Sequence, residues 1–210
     1  MTIKKYVTPQ EAFWAGEFGS DYIGRNDSET IVATNVNTFC RALKYAGDGL
    51  KSALEIGANV GMNLKALSLL YPGIHLKAVE INSDAAKRLA KLIGENNVFE
   101  GSIFDYPNHE KVDLAMAKGV LIHINPDKLQ AVYELLYTAT KRFILLAEYY
   151  NPAPVAISYR GHDDRLFKRD FAGEMLDKYP DLRLVDYGFV YHRDSAFPDD
   201  DTNWFLLEKK

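Results

Sequence analysis

The chain has 210 residues, 47% of them hydrophobic, and carries 25 Lys and Arg against 29 Asp and Glu, a formal net charge of -4. That balance gives no general attraction to nucleic acid or to an anionic membrane, and the length suits one substantial core rather than two. A lone cysteine, Cys40, excludes an internal disulfide; with no charged-then-apolar leader the chain fits a reducing cytoplasm, and its apolar runs at 120–124 and 143–147 are far shorter than a bilayer span.

In chain order, the first thirty residues set Phe13, Trp14, Phe18, Tyr22 and Ile23 among glycines and charges with no regular period. They read as a cap or lid, or as a seal on one side of the core. Residues 34–45 read as a helix with Phe39 and Leu43 on one face, completing an N-terminal part, 1–48, of a single domain spanning 1–210.

Strand-like runs at 52–56, 75–81, 97–99, 112–117 and 142–148 then alternate with helical periodicity at 62–70, 84–94 and 126–140. This is the pattern of βαβ units feeding a parallel sheet. Ser83 is placed to cap the second of these helices, and Asn125 followed by Pro126 to start the third. A stretch rich in Tyr, Pro, Asp and Arg follows Glu148, then a helix over 168–179, then runs at 183–192 and 202–208 that alternate well enough to pair antiparallel across a turn at 197–201. The predicted fold is α/β and Rossmann-like: a mostly parallel central sheet flanked by helices, with an antiparallel C-terminal hairpin.

The sharpest local signal is Leu54-Glu55-Ile56-Gly57-Ala58-Asn59-Val60-Gly61, a strand that ends in a glycine loop and opens a helix. Gly57 and Gly61 allow a sharp turn and let backbone approach a ligand at the helix N-terminus. The next strand ends at Glu80, where a carboxylate can accept both hydroxyls of a ribose. Asn59 occupies the place of the second glycine of a dinucleotide fingerprint, which disfavours a pyrophosphate and an NAD-linked oxidoreductase. S-adenosylmethionine carries no phosphate and suits this loop.

Glu100-Gly101-Ser102-Ile103-Phe104-Asp105 follows the third strand, with Ser102 where a carboxylate for adenine is common. Either Asp105 supplies that carboxylate or Ser102, Ile103 and backbone groups suffice. Lys118 and His123 follow the fourth strand, where cofactor and acceptor meet. His123 is either a base or a residue fixing the start of the following helix.

With these motifs in place the sequence resembles the pseudaminic acid biosynthesis-associated methylases, a bacterial subgroup of class I methyltransferases. The resemblance rests on Phe13-Trp14-Ala15-Gly16-Glu17-Phe18-Gly19, the glycine loop, and Lys118-Gly119-Val120-Leu121-Ile122-His123-Ile124-Asn125-Pro126. More particular are Glu148-Tyr149-Tyr150-Asn151-Pro152, Tyr159-Arg160-Gly161-His162, Arg165-Leu166-Phe167-Lys168-Arg169-Asp170-Phe171 and Asp186-Tyr187-Gly188-Phe189. It implies a free or nucleotide-linked sugar acid as acceptor.

Methyl transfer from a sulfonium is an in-line displacement, so positioning outranks acid–base chemistry. Residues 149–170 leave the fifth strand facing the sulfonium and form the expected acceptor-binding insertion. Arg160 and Arg165 are expected to hold the acidic sugar while Tyr149, Tyr150, Asn151 and Tyr159 orient it. The alternative is that Asp163, Asp164 and Asp170 neutralise the local cations internally. For a hydroxyl acceptor, His123 or His162 is the candidate base. Asp199-Asp200-Asp201 reads as a solvated turn, and no metal is expected. Two other functions fit the motifs: methylation of a small molecule unrelated to sugars, and a non-catalytic module that only binds the cofactor.

Overall fold

A computed structural model describes residues 6–25 and 28–210; residues 1–5, 26 and 27 of the predicted cap lie outside the described residues. The central sheet is built from β1 (Ser52–Ile56), β2 (His75–Glu80), β3 (Val98–Glu100), β4 (Val112–Lys118) and β5 (Thr140–Glu148), with β8 (Leu182–Val190) and β9 (Thr202–Lys209). Its order is β3-β2-β1-β4-β5-β9-β8. The first five strands are parallel, and β9 joins β5 antiparallel and pairs antiparallel with β8, as the C-terminal alternation predicted.

Both sheet faces are covered, and the strands record it with a two-residue period. Along β5, Phe143, Leu145 and Ala147 enter one core while Ile144 and Leu146 enter the other. Along β4, Leu114 and Met116 alternate with Ala115 and Ala117 in the same way. Burial on both faces is why these strands are continuous apolar runs. Helices α3 (Glu29–Ala42), α4 (Met62–Leu70) and α5 (Ser83–Ile93) cover the first face, and α6 (Leu129–Ala139) and α7 (Phe171–Lys178) the second.

The structure adds to or corrects the sequence reading at four places. The N-terminal segment forms two short helices, α1 (Pro9–Ala15) and α2 (Glu17–Tyr22), too brief to display a 3.6-residue period. Helix α3 begins at Glu29, capped by the Ser28 hydroxyl, well before residue 34. Asn82 rather than Ser83 caps α5, its Oδ1 accepting from Asp84 and Ala85 N–H at 3.0 and 3.1 Å. Residues 162–168 belong to a strand: β6 (Val155–Tyr159) and β7 (His162–Lys168) form a separate antiparallel hairpin within the insertion. Asn125 does accept from Asp127 N–H at 3.0 Å, opening a 3-10 turn ahead of α6. No helix among the described residues is long and apolar enough to cross a membrane.

Candidate active site

The strand order turns back on itself at β1, with β2 and β3 to one side and β4 to the other, and a crevice opens there at the carboxyl ends. It is a cavity of about 680 Å³. The glycine loop forms its floor with three left-handed residues, Gly57 (φ 65°), Asn59 (φ 50°) and Gly61 (φ 87°). The sharp turn leaves no room for a side chain at either glycine: a Cβ on Gly57 would lie 2.7 Å from Val120 Cγ2, and one on Gly61 2.7 Å from Leu89 Cδ1. The loop N–H groups are also engaged, Gly57 and Ala58 with Val79 O at 2.8 and 3.2 Å and Gly61 with Ala58 O at 2.9 Å. These bonds tie the loop to β2 and to itself.

Glu80, at the tip of β2, lines the cavity and is buried. Its Oε2 accepts the Asn59 N–H and its Oε1 the Asn82 N–H, both at 2.7 Å. Burial raises its pKa against the pull of those backbone N–H groups. A carboxylate offers four lone-pair sites, so Glu80 can accept a ribose hydroxyl beside these N–H groups.

Beyond β3, Ser102, Ile103 and Phe104 line the cavity, whereas Asp105 is exposed and turned away. The carboxylate at this end comes instead from Glu11 on α1, whose Oε1 accepts the Ser102 hydroxyl at 2.5 Å. Thr8 N–H fixes Oε2 of Glu11 at 2.8 Å, closing a capping box. Sequence reasoning missed Glu11, although Thr8-Pro9-Gln10-Glu11 spells that box with proline in the first turn. The helix is tied down further by Gln10 Nε2 to Asp164 O (2.9 Å) and by Asn82 Nδ2 to Trp14 O (3.3 Å).

At the tip of β4, Lys118 Nζ lies 3.0 Å from Asp199 Oδ2, among the carboxylates of Glu55 and Glu148. Glu55 is wholly buried behind the cavity wall, its Oε1 held by Asn63 Nδ2 at 2.6 Å, and burial pushes its pKa up to about 8. Glu148, also missed, receives the N–H groups of Val120 and Leu121 at 3.0 Å and of Ile122 at 3.4 Å. It anchors the turn after β4, and burial pushes its pKa up to about 7. No sequence spacing announces that contact, which joins adjacent strand ends.

His123 lines the cavity with its ring between Trp14 (centroids 4.6 Å apart) and Tyr159 (5.3 Å). Its Nδ1 lies 2.6 Å from Arg165 O. A carbonyl only accepts, so Nδ1 carries the proton and Nε2 keeps its lone pair. Burial lowers the His123 pKa to about 4, against the opposing effect of that hydrogen bond. Tyr149, Tyr159 and Arg160 also line the cavity, Arg160 from the β6–β7 turn at φ 50°.

The remaining candidates lie off the cavity wall. Tyr150 is exposed with its ring near Phe205, and Asn151 Nδ2 turns to Ala153 O at 2.5 Å. The Arg165 guanidinium pairs with Asp164 and lies over the Phe13 ring, whereas Arg169 pairs with Glu174 and Asp170 accepts from Gly173 N–H. His162 is exposed and packs its ring edge-on to Phe13. Among the described residues no group of three or more His, Cys, Asp or Glu is placed to hold a metal ion.

No protein-family model matches the chain, and neither does any curated protein sequence. Many solved structures share its fold. A mitomycin 7-O-methyltransferase matches with a TM-score of 0.69 at 14% identity over 97% of this chain; the chain spans 61% of the length of that structure. A 1,6-didemethyltoxoflavin-N1-methyltransferase from Burkholderia thailandensis, crystallised with its substrate and S-adenosylhomocysteine, matches with a TM-score of 0.71 at 20% identity, covering 99% of this chain and 93% of its own. The magnesium protoporphyrin IX methyltransferase of Synechocystis PCC 6803, with bound S-adenosylmethionine, matches with a TM-score of 0.69 at 10% identity over 99% of this chain and all of its own. The fold is therefore that of the class I S-adenosylmethionine-dependent methyltransferases.

Proposed function

We propose that this protein is an S-adenosylmethionine-dependent methyltransferase acting on a small acceptor, a sugar acid or its nucleotide-linked form. The observation that carries the cofactor reading is the pairing of the glycine loop with the Glu80 carboxylate in a crevice at the sheet's switch point. The residues fit the group: Glu80 offers a carboxylate acceptor to the ribose, and Ile103 and Phe104 offer an apolar slot for the base. Bound S-adenosylmethionine supplies the electrophilic methyl group.

The chain's own residues then position the acceptor. Arg160 contributes the charge an acid would meet, and Tyr149 and Tyr159 contribute ring faces and hydroxyls suited to a sugar. His123 Nε2 takes the proton of an attacking hydroxyl, while Trp14 and the α1 helix keep water out. The resemblance to pseudaminic acid-associated methylases supports the sugar acid. A second reading, an acceptor that is not acidic, draws on Asp199 and Asp200, which face the same cavity, and on the engagement of Arg165 with Asp164.

Incubation with methyl-labelled S-adenosylmethionine and a panel of free and nucleotide-linked sugar acids tests the proposal. Label in a sugar-acid product supports it, and transfer only to neutral or basic acceptors favours the second reading. Cofactor binding without transfer to any acceptor marks a non-catalytic module.

A further inference from the structure

One wall of the cavity presents polar atoms that no described residue satisfies. Asn35, on α3, is 1% exposed, lines the cavity, and leaves both Nδ2 and Oδ1 without a hydrogen-bond partner. Elsewhere on this helix buried polarity is resolved internally, as where the Thr38 hydroxyl donates to Thr34 O at 2.9 Å. Ile31, one turn earlier on the same face, lines the cavity too, as do Met62 and Asn63 at the start of the neighbouring α4. Asn63 itself is engaged, its Nδ2 donating to Glu55 Oε1 behind the wall, so Asn35 is the amide on this wall left unpaired among the described residues. Buried amides are almost always paired, so an unpaired one in a cavity wall points to a ligand that pairs with it.

The strand order decides which end of the ligand reaches this wall. With the ribose at Glu80 on β2 and the base at Ile103 and Phe104 after β3, the rest of the molecule must run the other way along the edge, over β1 toward β4. Helix α4 rises directly from β1, and α3 packs along α4. The group arriving there in S-adenosylmethionine is an amino acid, with an ammonium that donates and a carboxylate that accepts. A primary amide offers the matching acceptor and donors on one side chain.

We infer that Asn35 binds the amino-acid tail of the cofactor, Oδ1 accepting from the α-ammonium and Nδ2 donating to the α-carboxylate. The inference rests on the cofactor reading above and adds the residue that makes the site selective for the intact cofactor over its tail-less breakdown nucleoside.

Calorimetry on the full chain with S-adenosylhomocysteine and with 5′-methylthioadenosine, which lacks the tail, tests it. In Asn35→Ala the preference for the homocysteine compound is expected to fall roughly tenfold or more, as loss of hydrogen bonds to charged groups entails, with methylthioadenosine affinity unchanged. The thermal midpoint is expected to hold or rise, because the variant removes unpaired buried polarity and gains helix propensity. Asn35→Asp keeps the shape and places a negative charge against the tail carboxylate, so it is expected to weaken only the homocysteine compound. An undiminished preference in both variants, or equal loss for both compounds, overturns the inference while leaving the cofactor reading intact. Failure of the unaltered chain to bind either compound overturns both.

Discussion

Asn59 N–H donates to Glu80 Oε2 across 2.7 Å, so the loop after β1 and the tip of β2 are held as one unit. The two features that together indicate a cofactor site, a glycine loop and an acidic strand end, are thus physically the same object. Changing Glu80 to Ala would free two backbone N–H groups and remove the charged acceptor. Hydrogen bonds to a charged acceptor are worth about 1.5–3 kcal/mol each, so affinity for S-adenosylhomocysteine is expected to fall by more than about tenfold. Calorimetry would show the fall for adenosine as well, since the lost contacts are to the ribose. Unchanged affinity for both would place the ribose elsewhere.

Gly57 is required by its neighbours. At φ 65°, with a Cβ destined for 2.7 Å from Val120 Cγ2, Gly57→Ala is expected to cost about 1–3 kcal/mol of stability. Pairing it with Val120→Ala should recover the steric share and leave the backbone strain. Chemical denaturation of both single variants and the double measures the coupling, and strictly additive losses would refute the contact.

His123 separates the two candidate bases by pH. Its pKa is lowered to about 4, so it is neutral throughout the ordinary range and loses its lone pair only below that. If it accepts the acceptor's proton, turnover should show no acid limb near 6.5 and should fall only as pH approaches 4. His123→Ala is expected to cost ~10²-fold in turnover, the lower end for general bases because so weak a base sits far from the working pH. His162, exposed and off the cavity, should tolerate the same change with turnover intact. A loss confined to His162→Ala would reverse the assignment.

Glu55 should leave a signature on stability. Its folded pKa of about 8 lies above its usual value of 4.5, so the folded state holds this proton more tightly than the unfolded chain. The resulting contribution is fully present below 4.5 and is lost as pH rises from there through about 8. In Glu55→Gln that dependence disappears. Subtracting denaturation free energies of the variant from those of the parent between pH 5 and 8 should give a curve that falls with pH, and a flat difference would show that Glu55 is already ionised.

Much of this architecture was legible because parallel strands buried on both faces become uninterrupted apolar runs, and helices over a sheet repeat at three and four residues. β1 and α4 fall where the pattern put them. The β6–β7 hairpin escaped notice because most of β6 faces solvent on both sides and carries no alternation. Helices α1 and α2 are each under two turns and carry no period to find, although Thr8 and Glu11 announced the first of them.

Sequence alone determined the alternating strands and helices of the central sheet and the glycine loop and acidic strand tip that meet at its switch point. Only the tertiary structure decided which charges face the crevice. Arg165 is drawn away by Asp164, Glu11 arrives at Ser102 from ninety-one residues earlier, and Asn35 is left unsatisfied in the wall. Periodicity is a local property carried by neighbours along one chain segment, whereas electrostatic pairing and burial depend on which distant segments the fold brings together.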